Sequence, residues 1–521
     1  MSLNKNFLLG ATTGVLGLGV KTLLNIVVYP VILQKLGVDQ YGLYVLLLNM
    51  ADLLILMDLG LTSGMVQRLA SLRAKGKDQE AREILSVGFL SYLSLAILLF
   101  AGCFFTLPMI PGFFNLDQAM AAVALTCLYI ILMEAALTLF QGYFSAVLMS
   151  NNRYQWVNTS ETLYFIIANA GIFILLGLGL GLKEMLMLRL GASVVKFFLI
   201  LFHAIRIDSD CIKPFYFSFS KMVDLMKVSF HAMVRTISDI FANRMDLVII
   251  ARFMSLHSVA VFEFVFRFLN IIMQIPFHFA RAIFPVFTKL HAENNKAQSR
   301  LVFLRISNVI FFIVGVPIAL LYFYFPEIFT FFSGGRLAYE ETAPLLSFAI
   351  PGILSYAVSM PANDFLYGAE RFSLITVSSV LSALLKIVLA LLLIGNFGLI
   401  GIIVAGLVMD AVQHQMVLIR KTCQTLSIGF KEYVYNTYLS NLPALSVAVF
   451  AIVALKQLPA LQPMPIILQL IITASVAFGI SALLWFFTTT SPEEKTAVKD
   501  QLTVFCRKLL KKNTLMPKPD N

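Results

Sequence analysis

Long apolar stretches alternate with short polar segments along the whole 521-residue chain. The stretches have roughly 18–25 residues, the length that an α-helix needs to cross a hydrocarbon core of about 30 Å. The pattern predicts an all-α integral membrane protein with about fourteen transmembrane helices. The predicted spans are 7–33, 41–65, 84–107, 118–148, 157–180, 185–205, 223–251, 257–284, 303–325, 342–362, 373–395, 398–420, 439–457 and 465–487.

The breaks between spans recur, which predicts an internal repeat of six spans. A shift of 218 residues superposes Pro108 on Pro326, Arg82 on Arg300, Arg153 on Arg371, and Asn25 on Asn243. Because six is even, both copies enter the membrane from the same side, as in transporters whose substrate site lies between two halves. We predict six-helix lobes at 1–205 and 223–420, a linker at 206–222, two more helices within 421–487, and a basic tail with an amphipathic helix at 488–521.

Positive charge is concentrated in alternate loops. Seventeen Lys and Arg residues, from Arg68 to Lys431, lie in loops after even-numbered spans, against five in loops after odd-numbered spans. Positively charged loops stay in the cytoplasm, so we expect both termini to be cytoplasmic. This topology signal accounts for the net charge of +11, and we expect no nucleic-acid partner.

Polar residues concentrate in spans 1, 2, 7 and 8, the corresponding first pairs of the two repeats. Ionisable groups inside a membrane are costly and usually face a cavity or pair with one another. In spans 7 and 8 a spacing of three and four residues places most of these residues on one helix face, and Arg244 lies to the side of that face. The residues that we predict to line a central cavity are Lys21, Asn25, Asp52, Asp58, Arg235, Asp239, Asn243, Arg244, Asp246, Glu263, Arg267 and Asn270.

A structural role for some of these charges remains an alternative. Arg235 with Asp239, and Glu263 with Arg267, have the i,i+4 spacing of ion pairs within one helix. The repeat also aligns Lys21 with Asp239, which would let these two residues pair across a cleft between the halves.

The other charges in predicted spans are sparser, and we expect them to pair locally or to reach toward a membrane interface. They are Glu134, Glu161, Arg189, Lys196, Lys386, Asp410 and His414. Asp410 and His414, at i,i+4, are also a candidate pair for coupling to H⁺ or Na⁺.

Motifs for metal binding, catalysis or ATP hydrolysis are missing. The five cysteines form no CxxC pair, and the chain has no GxxxxGK[ST] loop. We therefore expect no metal and no cofactor. Only 13% of residues are charged, against about 25% in soluble domains, and no polar stretch is long enough for a separate soluble domain.

The segment at 36–70, LGVDQYGLYVLLLNMADLLILMDLGLTSGMVQRLA, resembles a known family. Gly37, Tyr41-Gly42, Asp58-Leu59-Gly60, Arg68 and Asn152-Arg153 are similar to the polysaccharide-transporter (O-antigen or oligosaccharide flippase) branch of the multidrug/oligosaccharidyl-lipid/polysaccharide (MOP) flippase superfamily. The resemblance implies a MATE-like V of two pseudo-symmetric six-helix lobes, with two C-terminal helices alongside and a cavity lined by spans 1, 2, 7 and 8.

The resemblance also implies a function. The protein would flip undecaprenyl-diphosphate-linked oligosaccharide from the inner to the outer leaflet of the bacterial cytoplasmic membrane, without being an enzyme. Lys21, Arg235, Arg244 and Arg267 are candidates for the diphosphate, since guanidinium groups match phosphate oxygens. We expect a monomer whose partners are lipids, its lipid-linked substrate and polysaccharide assembly proteins.

Three alternatives remain. The first is a lipid II flippase of the same superfamily, which the sequence alone distinguishes poorly from an oligosaccharide flippase. A cation-coupled multidrug antiporter would favour a cavity of acids and aromatics, whereas here arginines and a lysine are interspersed with the acids. A membrane-embedded glycan polymerase or transferase usually needs a large outer loop, and the longest one here is roughly 326–341.

Overall fold

The computed structural model describes residues 5–58, 60–213, 216, 218–228 and 230–489, and within them the regular elements are helices. The first half consists of Lys5–Leu36, Val38–Leu54 continued by Ile55–Asp58, Leu61–Ala74, Asp78–Thr106, Gln118–Ser150, Tyr154–Gly177 and Leu182–Ile207. The second half consists of Phe230–Phe253, Leu256–Ala292, Lys296–Phe323, Tyr339–Gly368 and Phe372–Asp410 continued by Ala411–Ile419 and Arg420–Thr425. Leu442–Lys456 and Ile466–Thr489 follow as spans 13 and 14.

The described helices agree with the predicted fourteen spans, although three of those spans are not counted separately by length and hydropathy. Within the described residues, 11 helices are long and apolar enough to cross a membrane. Two spans are not among these 11 helices: Val38–Leu54 is slightly too short, and Phe230–Phe253 contains too many charged residues. The segment Phe372–Thr425 is counted once although it crosses twice.

A reversal at Gly398 divides this long segment into spans 11 and 12. Gly398 has φ +55°, a conformation that costs little only for glycine. The Gln413 amide donates to Ser379 Oγ at 3.0 Å. In one straight helix these two residues would be about 50 Å apart at about 1.5 Å per residue. The chain therefore folds back as an antiparallel helix pair, as predicted from the break between 395 and 398.

One predicted boundary is wrong. Span 2 ends at Asp58 instead of 65, and a separate helix, Leu61–Ala74, begins after Gly60. Gly60 has φ +74°, which a continuous helix does not allow. The region around the predicted start of span 7 is helical over Phe219–Val228 and again over Phe230–Phe253.

The internal repeat is visible in equivalent contacts of the two halves. Span 1 packs along span 5, and span 7 packs along span 11 in the same way. At the start of span 3, Arg82 forms an ion pair with Asp210, which follows span 6. At the start of span 9, Arg300 forms an ion pair with Glu432, which follows span 12. The predicted equivalence of Arg82 and Arg300 is thus confirmed by the role that each plays.

The two halves are joined at one end of the molecule. We call it the outer end; it carries the loops after odd-numbered spans. There, span 2 packs against spans 7 and 8, and buried residues such as Leu43, Leu47, Ile250 and Val265 belong to one core shared by both halves. At the opposite, inner end the second half has its own core, which includes Phe287, Phe303, Leu366, Leu418 and Tyr433.

Spans 13 and 14 pack beside span 9 and are held by polar contacts inside the bundle. The Trp485 indole donates to Asn308 Oδ1 at 2.9 Å, and the Asn308 amide donates to Ser440 Oγ at 2.8 Å. These two spans therefore lie alongside the second lobe, as expected. The tail predicted to contain an amphipathic helix lies outside the described residues from 490 onward.

A candidate substrate cavity in the second half and the seam between the halves

A cavity of about 580 Å³ opens within the second half. Spans 7, 8, 10, 11 and 12 line it, so it belongs to one lobe rather than to spans 1, 2, 7 and 8 together. Seven of the predicted site residues contribute to its wall: Asn243, Arg244, Asp246, Glu263, Asn270, Asp410 and His414. The cavity therefore unites residues that the sequence assigned to substrate binding with the pair assigned to ion coupling.

A buried ion pair joins span 7 to span 11 in this wall. Lys386 Nζ lies 2.8 Å from Asp246 Oδ2, and the two side chains are only 8% and 12% exposed. The Lys386 ammonium also donates to the carbonyl oxygen of Ala242, one turn before Asp246. Two acceptors for one buried ammonium compensate part of the cost of removing both charges from water.

Span 12 contributes a second pair of ionisable groups. His414 Nε2 lies 3.4 Å from Asp410 Oδ1, and the His414 ring lies against Tyr356 with 4.9 Å between ring centroids. His414 lies on a π-helical segment, Ala411–Ile419, which begins immediately after Asp410. Such segments are rare and concentrate at functional sites. Asp410 and His414 are thus held at a local irregularity of the helix.

Arg267 lies in the seam, by which we mean the surface where spans 1 and 2 meet spans 7 and 8. Its guanidinium pairs with Glu263 one turn earlier and lies over the Tyr29 ring, 3.2 Å from the centroid. Asn25 and Arg267 line a small cavity of about 20 Å³ in the same seam. The ion pair predicted as the structural alternative for Glu263 and Arg267 is therefore present.

Arg244 also crosses the seam, but in a more exposed setting. Its guanidinium lies 2.7 Å from Asp52 Oδ2, with the Arg244 and Asp52 side chains 44% and 39% exposed. One turn along span 2, the Asn49 amide donates to the Arg244 carbonyl oxygen at 2.9 Å. Span 2 thus holds Arg244 at two points, through its backbone and through its charge.

Lys21 and Asp58 contact the first half instead. Lys21 Nζ lies 4.1 Å from the centre of the Phe165 ring and within electrostatic reach of Glu161 and Asp52. Asp58 Oδ1 accepts hydrogen bonds from Tyr92 at 2.6 Å and from Thr62 at 2.8 Å. Asp58 thereby supports the break at the inner end of span 2 and takes no part in the second-half cavity.

The remaining charges of the first half pair locally, as predicted. Arg189 donates to Glu134 through Nε at 2.9 Å, and the Tyr164 hydroxyl donates to the same carboxylate at 2.8 Å. Lys196 pairs with Glu161. These contacts link spans 4, 5 and 6 into one lobe.

Two site predictions fall on side chains that lie outside the described part of the structure, Arg235 and Asp239. The proposed pairing of Lys21 with Asp239 therefore stays a prediction. Sequence reasoning missed Lys386, Tyr356, Ser379 and Gln413 as cavity residues. The sequence signal for Lys386 was its position as a lone lysine in an apolar stretch. Its partner Asp246 lies 140 residues away in the chain, so the spacing of residues could not reveal the pair.

Two family models match the sequence. The model described as "Polysaccharide biosynthesis protein" matches residues 8–291, and the MatE model matches residues 232–392. No curated protein matches the chain at a significant level.

Solved structures share the fold at low sequence identity. An inward-facing multidrug-resistance MATE transporter of the MOP superfamily aligns with a TM-score of 0.68 at 16% identity, covering 78% of this chain and 95% of that one. The lipid II flippase MurJ in an inward closed conformation aligns at 0.67 and 15% identity, covering 90% and 98%. An outward-facing MATE transporter aligns at 0.55 and 16% identity, covering 81% and 96%.

The two family models and the shared fold together identify a multi-pass membrane transporter of the MOP flippase superfamily. More narrowly, the chain belongs to the polysaccharide biosynthesis protein family, whose model matches more than half of it.

Proposed function

We propose that the protein flips an undecaprenyl-diphosphate-linked oligosaccharide, an O-antigen or other surface-polysaccharide repeat unit, from the inner to the outer leaflet of the bacterial cytoplasmic membrane. The observation that carries this proposal is Arg244, which lines the second-half cavity and whose side chain remains 44% exposed at the seam. A guanidinium fork suits phosphate oxygens, and an exposed one is available to an incoming ligand.

The surroundings of Arg244 suit a glycan. Asn243 and Asn270 line the same cavity and offer amide donors and acceptors to sugar hydroxyls, as Glu263 offers carboxylate oxygens. Lys21, half-buried in the first half, is a second candidate for the anionic head group. The oligosaccharide would therefore be held by exchangeable hydrogen bonds around one strong phosphate contact.

Alternating access gives the proposal a direction. With both termini in the cytoplasm, the outer end faces away from the cytoplasm and the inner end faces it. A lipid-linked substrate made on the inner leaflet would enter from that side, and the shared outer core would have to separate for its release. The protein would work as a monomer beside polysaccharide assembly proteins.

Asp410 and His414 are the proposed coupling site for H⁺ or Na⁺. Asp246, Glu263, Lys386, Arg244 and Tyr356 face the same cavity and set its electrostatic balance. Transport in proteoliposomes, measured with an imposed proton or sodium gradient, tests this coupling. Asp410→Asn and His414→Gln should abolish the response to the gradient while downhill transport persists; an unchanged response would refute the assignment.

The main test is complementation of surface-polysaccharide export in a bacterium that lacks its own flippase. Arg244→Gln should lower export at least tenfold at an equal amount of protein in the membrane. Arg252→Gln is the matched control, because Arg252 lies eight residues further along span 7 and contacts the Phe113 ring at the outer end. Equal export by both variants would refute the role of Arg244.

A multidrug antiporter is the second candidate, because aromatic residues accompany the acids in the cavity. Phe262, Phe266, Phe277 and Tyr356 share the wall with Asp246 and Glu263, a composition that suits organic cations. Expression in a drug-sensitive strain distinguishes the two: resistance to cationic dyes without glycan export would favour the antiporter. Rescue of a strain depleted of its lipid II flippase would instead indicate lipid II as the substrate.

A further inference from the structure

The Asp52–Arg244 ion pair lies where the shared core of the two halves ends. On span 2 the buried core continues to Ala51, and on span 7 it begins at Leu247. Toward the inner end, Asp52 directly follows Ala51 on span 2 and Arg244 lies three residues from Leu247 on span 7, and both side chains are substantially exposed. They lie roughly 14–21 Å along their helices from the outer ends of these spans, at about 1.5 Å per residue.

This pair differs from the other contacts of the seam in being open to an incoming anion. Arg267 is covered by Tyr29 and Glu263, and its side chain is 21% exposed. Beside the seam, the Gln34 amide of span 1 donates to the carbonyl oxygens of Phe331 and Phe332, which follow span 9, at 3.3 Å. Among these contacts, the Arg244 guanidinium alone both lines the 580 Å³ cavity and depends on a carboxylate from the opposite half.

We propose that the Asp52 carboxylate occupies, in the resting protein, the position that the anionic head of the substrate takes on Arg244. A diphosphate that enters from the inner end displaces Asp52 from Arg244. The displacement removes a charged contact between span 2 and span 7 and thereby favours separation of the outer seam. Asp52 is thus a positioning residue that makes outer opening depend on substrate.

The energetics are compatible with such an exchange. An exposed ion pair contributes about 0.2–1 kcal/mol, which is small enough for a ligand to replace. A diphosphate offers several oxygens to the same guanidinium and therefore competes effectively with one carboxylate. The hydrogen bond from Asn49 to the Arg244 carbonyl oxygen does not involve the guanidinium, so it can keep Arg244 in place during the exchange.

The proposal rests on the proposed function for the identity of the anion, but the ion pair can be tested without any ligand. Nitroxide labels at Lys35→Cys and Arg336→Cys flank the outer seam, since both positions are exposed at the outer end. The background is the full-length chain in lipid nanodiscs with all five native cysteines replaced. Pulsed electron–electron double resonance then measures the distance between the two nitroxide labels, with inorganic pyrophosphate as the probe ligand.

The parent protein should show mainly the short distance, and pyrophosphate should raise the separated population about fivefold, equivalent to about 1 kcal/mol. Asp52→Asn should show a similar separated population without pyrophosphate and respond little to its addition. Arg244→Gln should resemble Asp52→Asn, and the double variant should open no further than either single variant, because both remove the same contact. Glu80→Gln, which removes an exposed carboxylate bonded to Lys77, should behave like the parent.

Two results would overturn the proposal, and they differ in meaning. If Asp52→Asn keeps the closed distance of the parent, the ion pair does not hold the seam, whatever the substrate is. If Asp52→Asn opens but pyrophosphate leaves the parent closed, a diphosphate does not displace Asp52. That second result would also count against the lipid-diphosphate substrate while leaving the ion pair as a contact that holds the seam.

Discussion

Replacing Lys386 by methionine would leave the Asp246 carboxylate without its counter-charge in a wall where the two side chains are only 12% and 8% exposed. Removing one partner of a buried ion pair typically costs about 3–5 kcal/mol, because the remaining charge is neither hydrated nor paired. Asp246→Asn should cost a similar amount, since it leaves the Lys386 ammonium with the Ala242 carbonyl oxygen as its remaining acceptor of the two. The double variant should lose less than either single variant, because no isolated charge remains.

The free energy of unfolding in mixed micelles, titrated with sodium dodecyl sulfate, measures these three losses as a double-mutant cycle. Lys183→Met provides the control; Lys183 is exposed at the start of span 6, and its loss should stay within about 0.5 kcal/mol. Single-variant losses below about 1 kcal/mol, or strictly additive ones, would refute a desolvated pair. The second-half cavity would then be wet enough to hydrate each charge separately.

Two further predictions concern local geometry. Gly401→Ala should lower the melting temperature more than the control Gly395→Ala. A Cβ atom at 401 would lie 2.7 Å from the Leu393 carbonyl oxygen, whereas a Cβ atom at 395 would meet open space. Equal melting temperatures of the two variants would contradict the tight reversal between spans 11 and 12. Burial raises the pKa of the Cys211 thiol to about 12, so at pH 8 a maleimide should label Cys211 only after unfolding. The exposed position 209 provides the control, because a Ser209→Cys variant should be labelled in the folded protein. Rapid labelling of Cys211 in folded protein would show that the linker does not pack as described.

Much of the architecture was predictable from local features of the chain. Span 4 was predicted at 118–148 and is found at Gln118–Ser150, because a membrane span needs a continuous apolar run and Asp117 caps its first turn. The predictions failed where backbone conformation overrides hydrophobicity. Span 2 stays apolar beyond Asp58, but the left-handed Gly60 and the hydrogen bonds to Asp58 end the helix there.

The candidate site was predictable only in part. Helical spacing correctly paired Glu263 with Arg267 and Asp410 with His414, since contacts one turn apart depend on the helix alone. The same spacing could not show that Arg267 would be covered by Tyr29. Nor could it show that the cavity would lie inside one lobe.

The sequence by itself determined that this protein crosses the membrane many times in two repeated halves, because the length of apolar runs and the spacing of their breaks are local properties. It also concentrated the intramembrane charges in the first two spans of each half. The tertiary structure decided which charges meet: Lys386 joins Asp246 across 140 residues, and Arg244 of one half meets Asp52 of the other. Coulomb attraction depends on distance in space, and only the packing of the spans sets that distance.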